Sequence, residues 1–386
     1  MKEGWEYKKL GEVAQIVSGA TPKTNIEEYW GQGHYWVTPA ELNDSTIYVN
    51  KTERQITDAA LAKTNLQFLP KGTVLLSSRA PIGKVAICNT EMYCNQGFKN
   101  CICSEKLYNK YLFYYLKDKK EYLNSLGRGA TFKEISKSIV ENVIIPIPPK
   151  STQLAIVSEL DKINELIRLK KEQLVEYDNL AQSIFYEMFG DPVENEKDWE
   201  VKTFGDAFII GSGGTPSKNK SEYWENGDIP WIGSNMCQNC VINKTDGKFI
   251  TKEGLNHSSA KMLTPGTVLV ALVGATIGKV GLLKTETSTN QNIAFIKVNE
   301  SHEFIPEFVY FHLMNQYREF MNLGNGDFKM ANQSFIKALP IIKTPLPLQQ
   351  TFASRIEQIE KLKSEVQNAI TDLETLLASR MQYWFE

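Results

Sequence analysis

The sequence predicts an α+β protein: two tandem mixed α/β domains, each followed by a long helix, the two helices forming an antiparallel coiled coil about a pseudo-twofold axis. Three observations lead there: an internal repeat along the whole chain, two proline-rich elbows and two heptad patterns. WEYKKLG at 5–11 recurs as WEVKTFG at 199–205, GATPK at 19–23 as GGTPS at 213–217, and Glu28-Tyr29-Trp30 as Glu222-Tyr223-Trp224, all at an offset of 194. Pro81-Ile82-Gly83-Lys84-Val85 faces Thr276-Ile277-Gly278-Lys279-Val280, and Asn95-Gln96 faces Asn290-Gln291, both at 195; towards the end of each copy the offset is 196. Such drift marks single-residue loop insertions. Two copies are fewer than the ~3 short repeats a solenoid needs, so the pattern is a duplicated domain with its connector. The expected divisions are 1–149 and 191–347 for the domains, and 150–190 and 348–386 for the helices.

Each element has a local reason. Runs such as LPKGTVLLSSRAPIGKVAI (69–87) and LTPGTVLVALVGATIGKVGLL (263–283) are β-branched and broken by Gly and Pro, which reads as strand, turn, strand. Residues 107–126 and 305–323 read as amphipathic helices ending near Gly127 and Gly324. VIIPIPP (143–149) and IIKTPLP (341–347) exclude helix and read as a strand entering a rigid elbow. Each elbow launches a seam in steps of four and three: Ile156, Leu160, Ile163, Ile167, Lys170, Leu174 and Tyr177 in the first, and Phe352, Ile356, Ile359, Lys363, Val366, Ile370 and Leu373 in the second. Gly190 and Pro192 stop the first helix. Lone apolar seams need cover, and they cover each other if residue i meets residue 540 minus i, with the domains at opposite ends of a rod of roughly 50 Å. That register sets Lys170 beside Ile370 and Lys363 beside Tyr177. Each lysine then either passes its ammonium to solvent or marks a docking point for a partner's acidic group.

Composition narrows the classes. Forty-three Lys and Arg against 45 Asp and Glu leave no global basic signature, so any nucleic-acid site must be a local patch. A 42% hydrophobic content suffices for two cores. No run approaches a membrane span and MKEGWEYKK lacks a signal-peptide core, which points to the cytoplasm. The six cysteines include one CQNC (237–240) with no counterpart in the first copy, and the four histidines show no HExxH spacing, so no metal site is expected.

The paired domains, the PIPP and PLPL elbows followed by Gln153 and Gln350, the heptad helices and the GATP, PIGKV and NQ elements resemble the specificity subunit of type I restriction-modification enzymes, over essentially the whole chain. The resemblance implies that each globular part is a target recognition domain for one half of a bipartite, asymmetric double-stranded DNA site. It implies helices that act as ruler and as docking site for two methyltransferase subunits, through which restriction/translocase subunits join. It implies no catalytic residue and no cofactor in this chain, S-adenosylmethionine belonging to the methyltransferase and ATP with Mg2+ to the restriction subunit. The residues agree: no Asn-Pro-Pro-Tyr element occurs, and the IGKV turns miss a phosphate loop because Val stands at 273 and at 280. A nucleotide-binding enzyme and a protein-only coiled-coil adaptor are the competing readings.

Arg and Lys suit guanine, Asn and Gln suit adenine, and Ser, Thr and Lys suit phosphates. On loops of the first domain the candidates for DNA contact are Thr21, Lys23, Ser78, Arg79, Lys84, Asn95, Gln96, Lys99, Arg128, Thr131 and Lys133; in the second they are Thr215, Ser217, Lys218, Asn235, Asn290, Gln291, Asn292, Lys329, Asn332 and Gln333. Residues common to both copies are expected to be scaffold or backbone contacts, and those that differ to choose bases.

Overall fold

The computed structural model describes residues 2, 4–44, 46–79, 81–128, 133–323 and 330–386. The chain divides into two compact units, residues 1–171 with 368–386 and residues 172–367. Each is built on the same plan. In the first unit a five-stranded sheet runs Ala14–Ser18, Lys99–Cys103, Val74–Leu76, Val85–Cys88, Tyr48–Val49, and a three-stranded sheet runs Gln55–Ile56, Trp30–Val37, Tyr93–Cys94. In the second the corresponding orders are Ile209–Ser212, Ile293–Lys297, Thr267–Ala271, Val280–Leu283, Cys240–Ile242 and Phe249–Ile250, Ile229–Ile232, Ser288–Thr289. The Gly-rich turns at 83 and 278 have φ of 88° and 73°. Only glycine takes that conformation cheaply, and it lets Val74–Leu76 and Thr267–Ala271 reverse onto their antiparallel partners.

Among the described residues the elbow strands Ile144–Ile147 and Pro340–Lys343 pair only with Glu6–Lys9 and Glu200–Thr203. A strand with one neighbour tolerates proline because it has an edge without donors to satisfy. The helices that follow, Lys150–Phe189 and Leu346–Phe385, have 40 residues each against the ~33 of the seam. The first begins earlier than its first seam residue because Pro149 O accepts from both Thr152 N and Gln153 N. The expected helices at 107–126 and 305–323 each break in two, after Asp118 and after Asn315. At the second break the buried Gln316 amide donates to Pro340 O at 2.6 Å, a tertiary bond that turns the chain.

Within each unit the long helices run antiparallel. In the first, Glu159 pairs with Arg380 and Lys171 with Glu374; in the second, Asp178 pairs with Lys363 while Phe352 packs against Phe185 and Phe189. Ile156, Leu160, Ile163, Ile167, Phe352, Ile356, Ile359, Val366 and Ile370 are buried, and Leu174, Tyr177 and Leu373 are half-buried. Lys363 is held at 2.8 Å by both Asp178 and Glu360, so acidic groups of its own chain hold its ammonium.

Helix ends close the cores. Phe385 packs on Tyr111 and Tyr115 in the first unit, and Phe189 on Phe308 and Phe352 in the second. Gly190, at φ 78°, ends the first helix, and Lys197 Nζ donates to Glu187 O and Met188 O while Trp199 Nε1 donates to Phe189 O. Lys2 Nζ donates to Tyr383 O and Trp384 O in the same way at the end of the second helix, where Trp5 stacks on the Trp384 ring. Phe185 touches four phenylalanine rings, 189, 308, 311 and 352, and is fully buried. Phe185→Ala is therefore expected to cost about 3–5 kcal/mol, read in chemical denaturation as earlier unfolding of the second unit; a loss below about 1 kcal/mol would mean the ring cluster is not the core it resembles.

Candidate nucleic-acid interface

In both units the loops bearing the candidate residues are tied together by the same bonds. Gly19 lies so close to Asn95 O that a Cβ would sit 2.0 Å away, and Gly213 stands equally close, 2.1 Å, to Thr289 O. Trp36 Nε1 donates to Ala20 O at 3.0 Å, and Trp231 Nε1 to Gly214 O at 2.9 Å. Trp30 Nε1 donates to Lys23 O and Trp224 Nε1 to Ser217 O. The Thr21 hydroxyl donates to Gln96 Oε1 and the Thr215 hydroxyl to Gln291 Oε1. The shared GxTP and NQ elements thus brace each other. Asn95 and Asn290 turn their side-chain oxygens onto Gly97 N and Asn292 N, which shapes the loop.

The third loop joins this edge through Gly97. Ser78 N donates to Gly97 O and Ile135 N to Ser78 O; in the second unit Leu272 N donates to Asn292 O and Ala331 N to Leu272 O. Several candidates are consumed by that framework. Ser78 is fully buried and Lys99 is 7% exposed, so neither side chain reaches a ligand. Lys84 gives its ammonium to Pro39 O and Leu42 O, Asn332 caps the helix Gln333–Ala338 through Phe335 N, and Gln333 donates to Ser212 Oγ. Thr131 and Lys329 lie outside the described residues.

Thr21, Lys23, Arg79, Gln96, Arg128 and Lys133 remain exposed in the first unit, with Ser217, Lys218, Asn235 and Gln291 in the second and Thr215 half-buried. Arg79 Nε lies 3.0 Å from Glu134 Oε2, and Lys99 3.4 Å from the other oxygen. Arg128 exchanges both backbone bonds with Glu134. That exposed pair is worth about 0–1 kcal/mol, so Glu134 orients the guanidinium without holding it against a stronger partner.

Sequence reasoning missed the aromatic walls. In the second unit Lys218, Asn235 and Asn290 line a cleft of about 650 Å³ with Trp224, Trp231 and Lys248. The two indoles meet edge to face, centroids 5.2 Å apart. In the first unit the Arg54 guanidinium lies 3.6 Å from the Trp30 ring centroid. Arg54 and Lys248 are structural equivalents, since Arg54 O accepts from Trp36 N and Lys248 O from Trp231 N. The recurrence of Trp30 and Trp224 next to Glu-Tyr, with a cation about two dozen residues on in both copies, was the available signal.

The groups left exposed on this edge are hydrogen-bonding amides and cations. Among the described residues no group of His, Cys, Asp and Glu could hold a metal ion. The cysteines are free, and burial pushes the Cys237 and Cys94 thiols up to about 12, so they stay protonated. Among the described residues no helix is long and apolar enough to cross a membrane. What remains is a loop-built edge of guanidinium, ammonium and amide groups, with the hydrogen-bonding forms that read base edges and phosphates.

Comparison with known proteins supplies the family of the chain. The family model described as the type I restriction modification DNA specificity domain matches residues 2–176 and again residues 196–374. The MjaIX type I restriction enzyme specificity subunit of Methanocaldococcus jannaschii is 33% identical over 325 residues, spanning 78% of this chain and 74% of that one. A chain of a type I restriction-modification system, solved in work on complex assembly and conformational transition, matches with a TM-score of 0.66 at 19% identity, covering 100% and 98% of the two chains. The type I S subunit from M. genitalium matches at 0.54 and 16%, covering 99% and 96%. At those identities the two structures speak for the fold alone. The family model fits each copy of the internal repeat in turn and one relative is a third identical over most of both chains, so this chain belongs to the type I restriction-modification specificity subunits, non-catalytic chains built on two DNA specificity domains.

Proposed function

We propose that each domain, residues 1–149 and 191–347, reads one half of a bipartite, asymmetric DNA site, and that the helical segments 150–190 and 348–386 set the spacing and dock two methyltransferase subunits, through which restriction subunits join in the cytoplasm. S-adenosylmethionine, ATP and Mg2+ then serve the partners. The observation that carries the reading is the division between shared and divergent residues. The bracing bonds, Thr21 to Gln96 and Thr215 to Gln291, are common to both units, while the exposed cations and amides beside them differ: Arg79 stands against Gly274, and stacked Arg54 against Lys248. Two domains with one scaffold and different exposed groups suit two different half-sites. For docking, Leu166 and Leu376 of the first unit are 48% and 46% exposed, and Leu180 and Leu362 of the second 46% and 42%. Leu166 repeats as Leu362 and Leu180 as Leu376, which favours two copies of one partner.

The test is single-molecule sequencing of N6-methyladenine in cells expressing this chain with its methyltransferase. One gapped motif is expected. Arg79→Ala with Arg128→Ala should disturb only one half of it, and Lys218→Ala with Asn235→Ala only the other, each lost base contact costing about 1–3 kcal/mol, or roughly 5- to 150-fold. Unchanged methylation in both double variants would remove these residues from the interface. Absence of any motif beside an active, assembled methyltransferase would overturn the functional reading.

A further inference from the structure

The two units differ where the five-stranded sheet meets the start of its long helix. In the first unit this corner is filled. Lys110 Nζ lies 2.7 Å from Asp161 Oδ2 and 5.3 Å from the Tyr48 ring centroid, Tyr114 OH donates to Asp161 Oδ1 at 2.7 Å, and Asn164 Nδ2 donates to Tyr114 OH at 3.1 Å. Two shared features fix the equivalent positions in the second unit. Gln153 Oε1 accepts from Tyr108 N as Gln349 Oε1 accepts from Ile305 N, and Tyr48 pairs with Ile87 as Val241 pairs with Leu282. Gln349, fully buried, is thus the counterpart of Gln153, a correction of Gln350.

Counting from those anchors, Lys110 becomes Glu307, Asp161 becomes Glu357, Asn164 becomes Glu360, Tyr114 becomes Phe311 and Tyr48 becomes Val241. The ring and the cation that fill the corner are gone, and the carboxylates have multiplied. The result is a groove of about 600 Å³ with Val241, Phe311 and Ile356 in its wall and Glu307, Glu357, Glu360 and Lys284 on its rim. Glu307 is held by Lys284 at 2.7 Å and Glu360 by Lys363 at 2.8 Å, whereas Glu357 has no ion-pair partner among the described residues. Tyr310, 5% exposed, lines the same groove, and its hydroxyl has no hydrogen-bond partner among the described residues.

We propose that this groove docks a segment of a partner protein that inserts an aromatic side chain against Val241 and Phe311 and lays a lysine or arginine on Glu357. The first unit shows the complement in its own residues: a ring beside an ammonium that meets a carboxylate. The acidic rim repels DNA phosphates, so the occupant is a protein. No second such groove is available at the filled corner, so the chain binds one segment although its exposed helix leucines occur in pairs. The inference stands apart from the DNA reading.

The probe is a fluorescein-labelled peptide, Lys-Lys-Trp-Lys-Gly, titrated into the full chain by anisotropy, with Ser-Ser-Trp-Ser-Gly as control. Saturable binding of one peptide per chain is expected, weakened at least tenfold by Glu357→Gln, by Val241→Tyr with Glu307→Lys, and by the serine control. The glutamine variant changes an exposed side chain, so its result stands even where the double variant misfolds. Absent or non-saturable binding, equal binding of the serine peptide, or an unchanged affinity in the Glu357→Gln chain would overturn the docking site. In that event a persisting gapped methylation motif would leave the DNA reading intact.

Discussion

A chain ending after residue 190 is expected to run as a dimer at micromolar concentration. The first unit is incomplete without residues 368–386: Phe385 fills its core against Tyr111 and Tyr115, Met381 is buried beside it, and Arg380 and Trp384 both donate to Glu159. The repeat carries substitutes at an offset of 196, with Phe189 for Phe385, Phe185 for Met381, Met188 for Trp384 and Ile184 for Arg380. In the truncated chain these residues have lost their own unit. A second copy can therefore supply, in antiparallel sense, the helix segment each copy lacks. The exchange forfeits the Glu159–Arg380 pair, worth about 0–1 kcal/mol when this exposed, and recovers two buried phenylalanines at roughly 1.5–3 kcal/mol each. Burial wins. Sedimentation equilibrium decides it, and a monodisperse, folded monomer would count against the exchange. On the proposed function the dimer would direct methylation to a palindrome of the first half-site.

Seven residues added to each helix, after Lys171 and after Gln367, are expected to widen the unread gap of the methylated motif by about three base pairs. One heptad preserves the apolar seam, which a shorter insertion would rotate out of contact. Its ~10 Å of added length compares with ~3.4 Å per base pair. The two insertion points are equivalent in the repeat and coincide with the limits of the compact units, so neither core is cut. A motif with altered half-sites and an unchanged gap would show that spacing is set elsewhere.

The tandem plan, the elbows and the long helices were legible because each rests on a pattern confined to neighbouring residues: a repeat offset, a proline run, a heptad. The helix breaks at Lys119 and Gln316 were not, because neither carries a glycine or proline and the second is turned by a bond to Pro340, two dozen residues away. The site divided along the same line. Shared GxTP and NQ residues were readable as scaffold from their recurrence. That Ser78 and Lys99 are buried depends on Gly97, Ile135 and Glu134 closing over them, which no local spacing announces. The Trp224–Trp231 cleft was overlooked because aromatic pairs in β-rich chains are usually core, and only the three-dimensional placement of Lys218, Asn235 and Lys248 makes them walls.

The two helix ends are closed by the same lysine clamp. Lys197 caps the carbonyls of residues 187 and 188, and Lys2 caps those of 383 and 384, with Trp199 and Trp5 beside them. In one joint the lysine follows the helix it caps by a few residues, and in the other it precedes that helix by most of the sequence. The clamp therefore works in either order along the sequence. A gene that entered near residue 196 and ran from residue 386 on to residue 2 would encode each of these caps in the opposite order. The order of the two domains along the chain is thus a property of the gene, free to be shuffled, and the fold does not enforce it.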